Sequence, residues 1–225
     1  MSLGIIKVLG VILFVYLIWR NLREDYKEED LISYSWMALL SFLVGGRLVF
    51  GLINLGVWNN WIDWVSIWSK PGMSYLGAYL SVFGVTWWIV KSRDWKIWSF
   101  MEDSLMTFLV FFEFLMLDEF VRSRFSLITG AYSLVILVAL ILSSIVRKKY
   151  RSFVWYKSGK KGFTFFFANF LICLMLAIVS FCFKISLNYS VIYMVGSLIY
   201  LIGLFILGDV FEPLLVNFKR KNYEK

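Results

Sequence analysis

Seven apolar runs, each close to the length of one bilayer crossing, divide this chain, and the charged residues collect in the stretches between them. The runs are 3–19, 31–55, 75–90, 97–120, 126–146, 163–183 and 191–207. About 20 apolar residues carry an α-helix across the hydrocarbon core. The third run is short and begins within a glycine-rich turn. The only two prolines, Pro71 and Pro213, both lie outside the runs. Hydrophobic residues make up 60% of the sequence and charged residues 17%, which is more apolar surface than a soluble domain of this size can bury. The expectation is an all-α polytopic membrane protein with seven transmembrane helices, forming one domain over residues 1–225.

The basic residues set an orientation. Seventeen of the 23 lysines and arginines fall in alternate loops, including the seven from Arg147 to Lys161, and only Lys70, Arg122, Arg124 and Lys184 fall in the others. Lys7 and Arg47 sit inside apolar runs. Loops rich in lysine and arginine stay in the cytoplasm, so the N-terminus is expected outside and the C-terminus inside. This distribution accounts for the net charge of +8 without a nucleic-acid partner. The loop from Arg147 to Lys161 reads as topology-setting and lipid-facing, with an acidic partner as the alternative. No small-residue cleavage site follows the first run, so it reads as a membrane span and not as a cleaved signal.

Between runs two and three, Trp58, Trp61, Trp64 and Trp68 recur at helical spacing. They are expected on one face of a short amphipathic helix in the outer interface. That helix would either anchor the protein among the headgroups or shape lipid entry to a cavity.

Several polar groups fall within the runs. Arg47 and Glu113 each lie 16 residues beyond the inner ends of their runs, roughly 24 Å along a helix rising 1.5 Å per residue. The matched depth suggests an ion pair, with Asp118 as an alternative partner for Arg47. The competing reading puts Arg47 in a polar cavity against a lipid phosphate, which its fork of donors fits. Asp118 and Glu119 lie closer to the outer interface. Glu102 and Asp103 are expected to cap the fourth helix or to pair with Lys91, Arg93 or Lys96. Asn169 is expected to bond across helices, and Asp209 and Glu212 to be solvated. There is no histidine, so the usual general base and commonest metal ligand are missing. Cys173 and Cys182, nine residues apart, point to opposite helix faces and cannot pair. No cofactor and no metal is expected.

The stretch from Gly45 to Glu119 resembles the prolipoprotein diacylglyceryl transferase family. That family carries Gly-Gly-Arg followed by an aromatic residue and an asparagine. Here the order is Gly45-Gly46-Arg47, Phe50 and Asn54. A family motif close to W-x-G-G-M-S-F-H-G-G compares with Trp68 and then Gly72-Met73-Ser74-Tyr75-Leu76-Gly77. Asp103, opening the following run, also fits. The resemblance implies seven spans in the bacterial cytoplasmic (inner) membrane, and transfer of a diacylglyceryl group from phosphatidylglycerol to a prolipoprotein cysteine. It makes Arg47, with Gly72, Ser74 and Tyr75, the element that would hold a lipid phosphate.

The chain departs from the family pattern at its chemistry. Leu76 stands where the family has its histidine. The family's later G-R-x-G-N-F signature aligns near 116–121, without its arginine or asparagine. The Arg and Glu one turn apart in the sixth span have no counterpart between Leu174 and Ile178. The large outer insertion before the fifth span is reduced to a few residues around Arg122. Glu113, Asp118 and Glu119 are the candidates for a substitute base. Three functions follow: a transferase with a rebuilt site, a non-catalytic relative binding an anionic phospholipid or a membrane partner, and, third, a small proton-coupled transporter using the carboxylates of the fourth run. The last lacks the matched broken spans such transporters use.

Overall fold

The computed structural model describes residues 4–54, 72–153, 156, 158–185 and 187–209. Among them are seven long α-helices: α1 (Ile5–Leu22), α2 (Glu28–Ile53), α3 (Tyr75–Ser92), α4 (Ile97–Arg122), α5 (Leu127–Lys149), α6 (Phe163–Cys182) and α7 (Leu187–Leu207). A single 3-10 turn, Tyr150–Ser152, follows α5. The expected tryptophan-bearing helix lies outside the described residues, as does Glu212.

Five of these helices are long and apolar enough to cross a membrane: α1, α2, α5 with its 3-10 extension, α6 and α7. The protein is therefore a multi-pass membrane protein. The two that fall short do so for different reasons. Helix α3, at 18 residues as long as α1, is diluted by glycine, serine, tyrosine and tryptophan. Helix α4 carries Glu102, Asp103, Glu113, Asp118 and Glu119 within its 26 residues.

The chain forms two compact units, Val15–Phe100 and a second made of Met1–Phe14 with Met101–Lys225. In the first, α2 and α3 run antiparallel and pack along most of their lengths. Small residues let them approach. A Cβ on Gly77 would lie 2.4 Å from the Val49 Cβ and 2.8 Å from the Gly45 carbonyl, and one on Gly45 would lie 1.9 Å from the Ser81 hydroxyl. Polar bonds then cross the interface: Ser81 Oγ donates to the Ser41 carbonyl at 2.7 Å, and the Tyr34 and Thr86 hydroxyls meet at 3.0 Å. Close backbones with hydroxyls bonded across them are the usual means of joining helices where lipid competes equally for apolar surface. At the end of the unit where α2 begins and α3 ends, Arg93 pairs with Asp30, and Tyr26, Trp95 and Phe100 stack together.

In the second unit, the first turns of α1 lie against α4. Phe14 meets Phe108 and Phe111 with ring centroids 5.1 and 5.2 Å apart, and Gly10 sits under Phe114. Helices α6 and α7 pack closely where Gly203 receives the Phe166 ring and Gly196 lies beside Cys173. The segment after α5 is pinned by a buried aromatic cluster of Tyr150, Tyr156 and Phe163 with Leu204. Burial pushes the Tyr156 phenol up to about 12. The hydroxyl therefore stays protonated and donates to the Lys160 carbonyl.

The α2–α3 contact gives a direct test. Gly77→Ala should lower stability in detergent by about 1–3 kcal/mol, the usual cost of overpacking. Gly84→Ala, on the same helix with nothing within 4 Å of the added Cβ, should be neutral or stabilising by up to about 1 kcal/mol. Thermal unfolding of the two variants measures the contrast, and equal effects would remove the case for close packing at Gly77.

Candidate functional site

Helix α2 reaches its Gly45-Gly46-Arg47 segment opposite the turn that starts α3; two bonds join them and a third caps α3 within the turn. The Ser74 N–H donates to the Gly46 carbonyl at 2.9 Å. The Ser74 side chain caps α3 by accepting from the Gly77 N–H at 3.2 Å. Arg47 Nη1 donates to the Gly72 carbonyl at 2.8 Å. Arg47 is only 5% exposed. A buried guanidinium needs acceptors, and a carbonyl in an irregular turn needs a donor, so each satisfies the other. Met73 packs over Gly46, and the Phe50 ring covers Gly72 so closely that a Cβ there would lie 2.3 Å from it. Tyr75 opens α3 with its side chain partly exposed. The structure thus gathers Arg47, Gly72, Ser74 and Tyr75 into one element. Asn54 ends α2, its amide bonded to the Phe50 carbonyl at 2.8 Å.

Two carboxylates in the second half of α4, Glu113 and Asp118, have partners within their own unit. Glu113 accepts from Ser133 Oγ at 2.6 Å, while its second oxygen is buried with no hydrogen-bond partner among the described residues. Asp118, 2% exposed, is held by Arg122 at 2.7 Å and by Lys7 at 3.3 Å. Glu119, half-buried, lies in the last turn of α4. The Lys7–Asp118 pair was not expected from the sequence; Lys7 lies in the first turn of α1 and Asp118 near the C-terminal end of α4.

At the other end of α4 the expectations need correction. Asp103 pairs with Arg147 at 2.8 Å and Lys161 at 3.3 Å, and Glu102 accepts the Gly162 N–H. The expected partners were Lys91, Arg93 and Lys96, but Arg93 is bound to Asp30. The basic segment after α5 therefore turns part of its charge inward onto α4. Asn169 bonds the Phe165 carbonyl of its own helix at 2.8 Å, and Asp209 meets Lys160 at 3.1 Å instead of being solvated alone. Cys173 and Cys182 are free thiols. Among the described residues no cluster of histidine, cysteine, aspartate and glutamate could hold a metal ion.

The prolipoprotein diacylglyceryl transferase family matches residues 2–117, a span that includes α1 to α3, most of α4 and the whole Arg47 element. The chain belongs to this family. No curated protein and no solved structure matches it. The matched span ends one residue before Asp118, so Asp118, Glu119 and the three last helices lie beyond it.

Removing Arg47 tests its hold on the turn. Arg47→Leu leaves the Gly72 carbonyl without this donor and should cost about 1–3 kcal/mol. Ser74→Ala removes a helix cap and should cost about 1 kcal/mol. Arg47→Lys should recover part of the loss. Thermal unfolding in lipid nanodiscs gives the order, and an Arg47→Leu protein as stable as wild type would show that the bond carries nothing.

Proposed function

We propose that this protein handles phosphatidylglycerol in the bacterial inner membrane, moving its diacylglyceryl group to the cysteine of a prolipoprotein. All seven helices cross the bilayer, with the N-terminus outside. The family membership and the length of α3 and α4 support the seven crossings, and the alternation of basic loops supports the direction.

The observation that carries the reading is the Arg47 element. The arginine and the Gly-Met-Ser-Tyr turn are the two family features that survive in the sequence, and they are bound to each other. Arg47 donates through Nη1 to the Gly72 carbonyl, and the planar fork of a guanidinium matches phosphate geometry. Gly72, Ser74 and Tyr75 complete a polar surface at the start of α3, where the positive end of a helix favours an anion. In the reaction, the cysteine sulfur bonds to the glyceryl carbon of the lipid. The bond from that carbon to the phosphate oxygen breaks, and glycerol phosphate leaves with the electron pair. A cation at the phosphate stabilises the leaving charge.

The thiol proton needs an acceptor, and with no histidine in the chain it falls to α4. Of the candidates, Glu113 has a buried oxygen with no hydrogen-bond partner among the described residues, whereas Asp118 is committed to Lys7 and Arg122. Glu119 is the third. A binding-only relative is the second reading, and Leu76 at the family's histidine position favours it.

Complementation of a transferase-depleted bacterial strain separates the two. Wild type should restore the lipidated, faster-migrating form of a reporter lipoprotein. Arg47→Gln and Glu113→Gln, expressed at wild-type level, should each reduce it by about tenfold or more. A well-expressed wild type that restores nothing would overturn the enzyme reading and leave lipid binding.

A further inference from the structure

A second polar site, wholly within the second unit, is formed where the start of α4, the end of α5 and the turn before α6 meet. It is a cleft of about 280 Å³. Four cations line it, Arg147, Lys148, Arg151 and Lys161, together with the carboxylates Glu102 and Asp103, and with Tyr150 on one wall. Formal charge therefore favours the positive sign by two. The distribution sharpens this. Arg147 and Lys161 are already shared on Asp103, and Glu102 takes the Gly162 N–H. Among the described residues no carboxylate pairs with Lys148 or Arg151. Arg151 instead contacts the Tyr150 ring and hydroxyl.

A run of basic residues needs no site to explain it when its only task is to fix topology. Such a run would be solvated and loosely held. This one is held on a built floor. Tyr150 and Phe163 stack face to face with centroids 5.2 Å apart, and Tyr156 closes on both. Ser158 Oγ ties the segment to the Leu207 carbonyl at the end of α7, at 2.6 Å. Gly162, in a left-handed conformation with φ 117°, places its N–H on Glu102. The carboxylates thus act as struts that fix two of the cations, and the other two are left facing the cleft. Two fixed cations beside two unpaired ones suit a doubly charged oxyanion. The space exceeds that of several waters at about 30 Å³ each, enough for a phosphate and the glycerol it esterifies. Basic pockets beside the membrane on the lysine-rich side take lipid headgroups by the same chemistry.

We propose that this cleft binds a phosphate ester, as an anionic phospholipid headgroup or as a soluble phosphate, with Lys148 and Arg151 supplying the charge. It is separate from the Arg47 element and does not depend on the transferase reading. The test is hydrogen-exchange protection in residues 147–153 and 158–162 of the full chain. The protein is held in phosphatidylcholine nanodiscs, and the probes are inorganic phosphate or discs containing phosphatidylglycerol.

Wild type should show saturable protection of these residues. Lys148→Gln and Arg151→Gln should each weaken it, and together by about tenfold or more in apparent Kd. Lys149→Gln, the neighbouring cation that does not line the cleft, should bind like wild type. Unchanged exchange in α6 and α7 verifies that each variant is folded. Protection by free phosphate assigns a soluble ester, and protection only by phosphatidylglycerol assigns a headgroup. No protection of wild type by either probe overturns the proposal, as does a double variant that binds like wild type. An equal loss in Lys149→Gln would also overturn it, reducing the effect to general surface charge.

Discussion

Hydrocarbon offers no hydrogen-bond partner, so each polar group carried into it must be answered by another part of the same chain. A lone aspartate, lysine or arginine at the centre of a membrane helix costs about 2.5–3.5 kcal/mol on insertion scales. This protein meets that demand repeatedly. Arg47 is answered by the Gly72 carbonyl, and Asp118 by Lys7 and Arg122. Outside the apolar spans the same pairing recurs, with Asp103 held by Arg147 and Lys161. Apart from Asp118–Arg122, which lies within α4, each bond ties a helix to a turn or to another helix, so the polar residues fix which segments meet while apolar packing fills between them.

The Arg47 bond has a steric precondition. Its acceptor lies in an irregular turn that can reach α2 only because Gly45, Gly46 and Gly77 remove the side chains that would hold α2 and α3 apart. The Ser74 N–H on the Gly46 carbonyl is a second product of the same approach. Glycine spacing, arginine position and turn chemistry are therefore one device, although they lie in two stretches of sequence. Family membership rests on a span that contains that device. The sequence holds no histidine, and Leu76 follows the turn that carries this device.

Helix ends were legible in the sequence because they are set by local composition. Every apolar run corresponds to a helix, with ends shifted by a few residues. Run 97–120 became Ile97–Arg122, and run 191–207 began earlier, at Leu187. The α2–α3 element was legible too, because Gly-Gly-Arg and Gly-Met-Ser-Tyr are compact motifs. Pairing partners were not. Asp103 was expected beside Lys91, Arg93 or Lys96, its neighbours in sequence, and it pairs with Arg147 and Lys161, which are far from it in sequence. Depth along a helix suggests Arg47 with Glu113, and the bonds described for them, to Gly72 and to Ser133, lie within their own units. The segment from Arg147 to Lys161 was read from charge alone as facing lipid. Its inward turn depends on Tyr150, Tyr156 and Phe163 stacking, a contact with no sequence periodicity to announce it.

Helices α3 and α4 are not among the five that are apolar enough to cross a membrane by composition, and the polar residues responsible are put to use in packing. Helix α3 is diluted by the glycine, serine and threonine that let it lie against α2 and bond across to it. Helix α4 is diluted by carboxylates, and two of these, Asp103 and Asp118, draw in cations from other segments of the chain. A helix that enters lipid poorly alone needs a partner to lower its cost, and these two have theirs built in. The residues that make them marginal as isolated spans are those that bind them to their neighbours. The exception among the described residues is Glu113, whose second oxygen is buried and answered by no hydrogen bond, so its burial is not offset in the way that settles Asp103 and Asp118.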